Sequence, residues 1–406
     1  MKLAFIVQRL VYPPDAGTPI RNYNLIAQAA RHHSVHVFGF GEPDKPPAPL
    51  RESGVIMHLL PAPPERTKGE RLRQLIATRE PDMAGRSRSL ALEGLLAREL
   101  VAFAPDVVQA QALDMAYTLQ LARQLLPKVA LVLDEHNAEY LLQKRAALVD
   151  LRRPERWPQA AYSLVQWRRL LRYERLACSR ADIVVAVSAQ DAEALRRISP
   201  RTRYAIVPSG VDLAYYRGVR PAPQFATEPG PHFVFPGKMD FRPNVDAAVW
   251  FAREVLPQVR GHLPNASFWV VGRQPHPAVL ALTKHPGVHV TGEVPDARPY
   301  LAGATAVVVP VRMGGGTKLK VGEGAALARP LILTAIAAEG YQARPGRDYL
   351  LANTAREMVA ACLRVAEDRA LAESLGWNAF RNIAEPLAWE RLGPCLDEVY
   401  EQALRR

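Results

Sequence analysis

Twelve short apolar runs rich in Val, Ile and Leu recur along the chain at helix-length intervals, and nothing else in the sequence constrains the fold as tightly. Six lie in the first half, at Leu3–Val7, Val35–Phe40, Val107–Ala110, Val129–Asp134, Ile183–Ser188 and Ala205–Val207. Six lie in the second, at Phe233–Phe235, Ser267–Val271, Val288–Thr291, Ala306–Pro310, Leu331–Thr334 and Tyr349–Leu351. Runs without apolar/polar alternation read as strands buried on both faces, hence parallel sheets covered by helices. Strands alternating with helices give a doubly wound α/β fold. The pattern occurs twice, and 406 residues accommodate two such domains.

The boundary is expected in Tyr215–His232, which holds four prolines and two glycines in 18 residues and no apolar periodicity. This places an N-terminal Rossmann-like domain at 1–213, a linker at 214–231 and a second Rossmann-like domain at 232–380. Two such domains are expected to face each other across a cleft, beyond the carboxyl ends of their strands. The stretch Ala372–Arg406 carries Trp377, Phe380, Trp389 and Tyr400 at helical intervals, and its last part, 381–406, is expected to be a helix that packs back on the first domain. Pro43–Pro64 reads as surface loops.

Three cysteines, Cys178, Cys362 and Cys395, are too few and too scattered for a disulfide scaffold or a four-ligand zinc site. They fit a reducing cytoplasm. The first residues read as a buried strand rather than a signal peptide. No run of 18 apolar residues suits a membrane span. The net charge is +12, and residues 1–210 carry most of it, with 30 Lys+Arg against 21 Asp+Glu. Residues 144–180 alone hold ten basic residues against Asp150, Glu155 and Glu174. Such a surface favours polyanions, whether nucleic acid, an anionic membrane or phosphorylated substrates. A merely solvated face remains the alternative. Trp157, Trp167 and Tyr173 interleave with Arg152, Arg153, Arg156, Arg168, Arg169 and Arg172, a mixture that suits an anionic membrane interface.

The most informative stretch is VVVPVRMGGGTKLKVGEGAALARPLILT at 307–334. A strand ends, Gly314, Gly315 and Gly316 follow, and a helix opens near Thr317. Glycines let backbone N–H groups approach a ligand, and a helix start adds unpaired donors and a positive dipole end. Lys318 and Lys320 oppose that dipole unless an anion such as a diphosphate lies there. Glu323 lies three residues on, where a carboxylate suits ribose hydroxyls. The pattern is neither a Walker P-loop nor G-x-G-x-x-G, which argues against an ATPase or an ordinary dehydrogenase.

The run GGGTKLKVGEGAALARPLILT resembles the nucleotide-sugar signature of the retaining GT-B glycosyltransferases of family 4. Three further stretches agree in order: VPSGVD at 207–212, FPGKMDFRPN at 235–244, and VVGR at 270–273 followed by VTGEV at 290–294. The likeness extends to bacterial sugar transferases of exopolysaccharide clusters. It implies that Lys318 and Lys320 bind the donor diphosphate, that Glu323 holds the ribose, and that Lys238 stands for a phosphate-binding Arg. The earlier carboxylate of the family's E-x7-E pair falls on Gly315, leaving backbone N–H groups of Gly314, Gly315, Gly316 and Thr317 to serve. The family's second lysine in the opening loop is Asn244 here. Glu339 and Gly340 resemble the family's E-G turn near the nucleotide. Gly17 resembles the N-terminal glycine loop, and Asp15 beside it could accept from an acceptor hydroxyl. His136 resembles the histidine that contacts the transferred sugar. Either Asp134 or Glu135 could orient its ring or bind acceptor.

The resemblance implies metal-independent transfer with no cofactor from a nucleoside-diphosphate sugar, a UDP-sugar favoured over a GDP-sugar. The acceptor would be a glycan or a polyprenyl-diphosphate-linked sugar in polysaccharide biosynthesis, at the cytoplasmic face of the cell membrane. No nucleic-acid partner is expected, because no reader motif accompanies the basic charge. The competing readings are a nucleotide-sugar epimerase of the same fold and a basic nucleic-acid-binding protein.

Overall fold

The computed structural model describes residues 1–14, 16–64, 66–151 and 154–405. Every one of the twelve apolar runs becomes a strand, and one further strand joins them. The first sheet contains β1 (Lys2–Leu10), β2 (Ser34–Gly41), β3 (Ile56–Leu60), β4 (Val107–Gln111), β5 (Ala130–Glu135), β6 (Ile183–Ala186) and β7 (Tyr204–Ile206). Their spatial order is β3-β2-β1-β4-β5-β6-β7, all parallel. The second contains β8 (His232–Pro236), β9 (Ser267–Val271), β10 (Val288–Gly292), β11 (Ala306–Val309), β12 (Leu331–Leu333) and β13 (Leu350–Leu351). Its order is β10-β9-β8-β11-β12-β13, again parallel.

The additional strand is β3, inside the proline-rich segment expected to be loops. It is an edge strand, paired only to β2, and Ile56 lies half exposed. Its own residues, Ile-Met-His-Leu-Leu, are as apolar as the other runs, and the prolines flanking it at 43–49 and 61–64 are what mask it. His58 on β3 stacks on Phe38 of β2, with ring centroids 4.7 Å apart.

Two compact units emerge, Met1–Ser209 with Trp389–Arg406, and Gly210–Ala388. Expected as a linker, 214–231 instead carries helical turns at Leu213–Tyr216 and Gln224–Thr227 and belongs to the second unit. Phe225 is the reason. It stacks on His232 at 4.5 Å and meets Trp269 edge-on at 5.0 Å, an apolar anchor that the surrounding prolines disguise. Residues 381–388 also stay with the second unit.

The helix Trp389–Leu404 belongs to the first unit. Trp389, Leu392, Leu396, Val399, Tyr400 and Ala403 recur at three- and four-residue spacing and are buried in one core with Leu25 and Ile26 of helix Gly17–Ala29. Each large side chain among them contributes about 1.5–3 kcal/mol by leaving water. The Tyr400 hydroxyl donates to Gln109 Oε1 on β4 at 2.7 Å, and His33 Nε2 lies 2.8 Å from Asp397 Oδ1. Of the cysteines, Cys178 and Cys362 are buried and Cys395 is exposed, all unbridged. Among the described residues, no helix is long and apolar enough to cross a membrane.

Candidate active site

In the second unit, β8 and β11 are neighbours at the point where the strand order turns outward in both directions. Doubly wound sheets bind ligands there, beyond the carboxyl ends of the strands. Gly237 and Lys238 leave β8, and the glycine loop leaves β11, so the fold brings the two motifs to one place. Gly314 (φ 111°) and Gly316 (φ 66°) take backbone conformations that disfavour a side chain. The helix that follows runs from Leu319 to Ala326. No side chain caps its start and no acid lies in its first turn, so its positive end faces the loop uncompensated by protein carboxylates.

Lys320 is the centre of this cradle. Its Nζ donates to Asn244 Oδ1 at 2.9 Å and stands 4.2 Å from the centroid of the Phe235 ring. Asn244 is itself fixed, since its Nδ2 donates to the Lys238 carbonyl at 2.8 Å. A Cβ on Gly237 would come within 2.8 Å of Lys320 Nζ, so a residue larger than glycine would collide with the ammonium. Burial pulls the Lys320 ammonium down from 10.5 to about 7, with Glu323 opposing the shift and Lys318 adding to it. Desolvation disfavours the charged form, and none of the described residues gives Lys320 a carboxylate hydrogen bond to restore it.

Glu323 follows one turn later on the same helix. Burial raises its carboxyl above the ordinary range, while Lys320 and a hydrogen bond from the Tyr216 hydroxyl work against that rise. Lys318 curls back instead. Its Nζ donates to the Gly316 carbonyl at 2.7 Å and lies 3.9 Å from Glu339 Oε2. The Tyr341 hydroxyl donates to the Lys318 carbonyl at 2.8 Å, which ties the loop to the turn at Glu339 and Gly340. Lys238 turns its ammonium to Asp240, 3.1 Å away, and is half exposed. Gly315 and Thr317 are part-exposed members of the loop. Phe235, Tyr216 and Tyr341 are not legible as site residues. Asn244 is signalled only as the position at which the resemblance places a lysine in the opening loop.

In the first unit, Gly17 opens the helix Gly17–Ala29 after β1, and His136 follows β5. They come together through Thr18, whose Oγ1 lies 3.4 Å from His136 Nδ1. On the other side of the ring, Nε2 lies 3.3 Å from Gln111 Oε1, at the end of β4, and 3.3 Å from Asp134 Oδ2. The side-chain period of a strand separates the two acids that precede His136. Asp134 faces the histidine and Arg21, whereas Glu135 is buried near Glu174 and Glu139. Burial and the nearby Glu174 carry the Glu135 carboxyl well above its ordinary range, and neither of its oxygens has a protein partner. Asp134 goes the other way: burial would raise it, but Arg21 and His136 outweigh that and bring it to about 2. Asp15 lies outside the described residues.

The basic segment resolves into two faces. Arg169 is not on the outer one, because its guanidinium donates to the carbonyls of Glu80 (3.2 Å) and Leu75 (2.6 Å). Trp167 and Tyr173 pack against the core of the first unit, and Lys144 lies over the Trp167 ring at 5.3 Å. Two of the three acids are also turned inward. Asp150 is buried near Arg156, and Glu174 accepts from the backbone N–H groups of Glu139 and Tyr140 at 2.8 Å each. What faces outward is Lys144, Arg168, Arg172 and Arg175, with the apolar Leu148, Leu151, Trp157, Val165 and Leu176. Arg152 and Arg153 lie outside the described residues. Among the described residues, no group of three or more His, Cys, Asp or Glu is arranged to hold a metal ion.

No curated protein sequence matches the chain. Among solved structures, sucrose-phosphate synthase from Thermosynechococcus elongatus is 18% identical, with a TM-score of 0.71 over 100% of this chain and 99% of that one. Anabaena HepE in complex with UDP and glucose is 13% identical, with a TM-score of 0.67 over 99% of each chain. WaaG, a glycosyltransferase involved in lipopolysaccharide biosynthesis, is 15% identical, with a TM-score of 0.62 over 98% of each. These likenesses establish the GT-B fold. The sequence model for Glycosyltransferase Family 4 matches residues 17–215, and that for Glycosyl transferases group 1 matches residues 230–368. With the two models falling in order on its two units, the chain belongs to glycosyltransferase family 4 and is a glycosyltransferase.

Proposed function

We propose that the chain transfers a sugar, with retention of configuration, from a nucleoside-diphosphate sugar to a glycan or polyprenyl-diphosphate-linked acceptor in polysaccharide biosynthesis. The observation that carries the donor half is Lys320, a part-buried ammonium that has no carboxylate hydrogen bond among the described residues, at the switch point of the second sheet. A diphosphate supplies the missing anion. In this reading the glycine loop and the start of helix Leu319–Ala326 donate N–H groups to it, Lys318 leaves the Gly316 carbonyl to join Lys320, and Glu323 exchanges the Tyr216 hydroxyl for the ribose. Positive charge fixed where the leaving nucleoside diphosphate develops negative charge is the main source of rate in such a site. The acceptor hydroxyl attacks from the face the leaving group departs, and a donor phosphate oxygen takes its proton. His136 faces the transferred sugar, with Gly17 at the start of the helix whose Thr18 meets its ring. Transfer needs no metal, so turnover in excess chelator equals turnover without it. UDP is favoured over GDP as the nucleotide, and HepE, a relative in fold, was solved with UDP and glucose.

The test is thermal-shift screening with UDP, GDP, ADP and their sugars. Ligand at 100 times its Kd adds about 2.7 kcal/mol of stability. A shift with one nucleotide, lost on Lys318→Ala with Lys320→Ala, is the expected result. No shift with any of them, from folded protein, overturns the donor reading.

The outward face of 144–180 supports a peripheral contact with the anionic, cytoplasmic face of a membrane, where a polyprenyl-linked acceptor resides. Cationic side chains bracketing exposed Leu, Val and Trp combine Coulombic attraction with apolar insertion. Sedimentation with phosphatidylglycerol vesicles should fall sharply on charge reversal of Arg168, Arg172 and Arg175. Unchanged sedimentation removes the membrane contact.

A further inference from the structure

The polar groups around His136 divide into two kinds, and the division fixes where its proton sits. Nε2 meets two acceptors, Gln111 Oε1 and Asp134 Oδ2, each at 3.3 Å. Nδ1 meets the hydroxyl of Thr18 at 3.4 Å, a group able to donate. A carboxylate in water could rotate away from the ring. Asp134 cannot, because it is fully buried and gripped at both oxygens by Arg21, Nε to Oδ2 at 2.9 Å and Nη2 to Oδ1 at 2.6 Å. Such two-point Arg–carboxylate pairing fixes the plane of the carboxylate as well as its position. Arg21 is only 2% exposed and comes from helix Gly17–Ala29, whereas Asp134 comes from β5, so two rigid elements set the geometry.

We propose that Asp134, clamped by Arg21, is a positioning residue that holds the His136 proton on Nε2 and so presents the Nδ1 lone pair to a hydroxyl of the substrate. The substrate hydroxyl takes the place of Thr18 Oγ1 as the donor to Nδ1. Thr18 directly follows Gly17, so the hydrogen bond it releases lies at the loop where substrate is expected to enter. This inference rests on the reading of His136 as the residue that faces the transferred sugar.

The test is long-range 1H–15N correlation NMR on the full chain with 15N-labelled histidine, the His136 signal being assigned by its loss in His136→Asn. The expected result is Nδ1 in the unprotonated range and Nε2 in the protonated range. Asp134→Asn, whose amide can donate as well as accept, should release that lock. It should also lower kcat about 10- to 150-fold, the worth of one charge-assisted hydrogen bond, with the donor KM held. Should Asp134→Asn not fold, Thr18→Val serves, since it removes the donor to Nδ1 and must leave the proton on Nε2. A proton on Nδ1 in the unaltered protein, or an unchanged tautomer in folded Asp134→Asn, overturns the proposal. Full turnover by His136→Asn removes the catalytic reading of His136, while the tautomer result then stands as a structural fact alone.

Discussion

On the proposed reading, in which Lys320 meets the donor diphosphate, donor binding should depend on pH in a direction that can be worked out in advance. The Lys320 ammonium is pulled by burial to about 7, so before donor arrives much of the population carries a neutral amine at physiological pH. A diphosphate needs the charged form and restores it, so binding takes up a proton. The apparent Kd is the intrinsic Kd divided by the competent fraction, which falls from about 0.9 at pH 6 to about 0.09 at pH 8. Affinity should therefore weaken about tenfold across those two units. A nucleoside-diphosphate sugar is the right probe, because its diester phosphates do not titrate in this range. Isothermal titration calorimetry in two buffers of unlike ionisation enthalpy reads both the Kd and the protons taken up, about 0.9 per site at pH 8. Lys320→Arg, charged throughout, should bind with a flat pH profile. A flat profile in the unaltered protein, or the same slope in Lys320→Arg, would refute the reasoning. The stability of the empty protein runs the opposite way. The folded-state value lies below the unfolded 10.5, so the unfolded chain holds more protons between about 7 and 10.5, and this group's contribution rises with pH there.

Asn244→Ala removes the acceptor that holds Lys320 in place, and donor Kd should rise about 10- to 150-fold, the worth of a hydrogen bond to a charged group. Calorimetry with the unaltered fold confirmed by circular dichroism checks it. Gly237→Ala puts a methyl group 2.8 Å from Lys320 Nζ on a backbone at φ 148°, so donor binding should be lost more completely than in Asn244→Ala. Tyr400→Phe leaves Gln109 Oε1 buried without its donor and should cost about 1–3 kcal/mol. At about 2–4 °C per kcal/mol for a unit of this size, differential scanning calorimetry should show a lower Tm for the first unit and an unmoved second transition.

What was legible in the sequence is what depends on local pattern. Solid apolar runs such as Val129–Asp134 and Ser267–Val271 announce strands buried on both faces, and the three glycines after β11 announce the loop before helix Leu319–Ala326. What depends on long-range contact was not. β3 is fixed by its pairing with β2, and although Ile56–Leu60 is apolar, the prolines at 43–49 and 61–64 on either side make the segment read as a loop. Phe225 anchors a stretch whose prolines suggested a tether. Asn244 is 76 residues from Lys320 in sequence, and no local pattern carries that hydrogen bond. The choice between Asp134 and Glu135 needed the strand's facing, which Arg21 decides from 113 residues away. Likewise Arg169 reads as one more exposed cation until the carbonyls of Glu80 and Leu75 claim it.

The return of Trp389–Leu404 to the first unit sets the order in which the protein can be finished on the ribosome. All of Gly210–Ala388 must be synthesised before that helix exists. At about 5–20 residues per second, the wait is on the order of 10–40 s. During it, the apolar side of helix Gly17–Ala29 with Leu25 and Ile26, and the Gln109 amide, lack their partners. The second unit, whose sheet is built entirely from contiguous chain, can mature in that interval. Nascent first unit is thus the species that most needs a chaperone's cover, and its maturation is timed by helix Trp389–Leu404, made after the second unit, rather than by its own first two hundred residues.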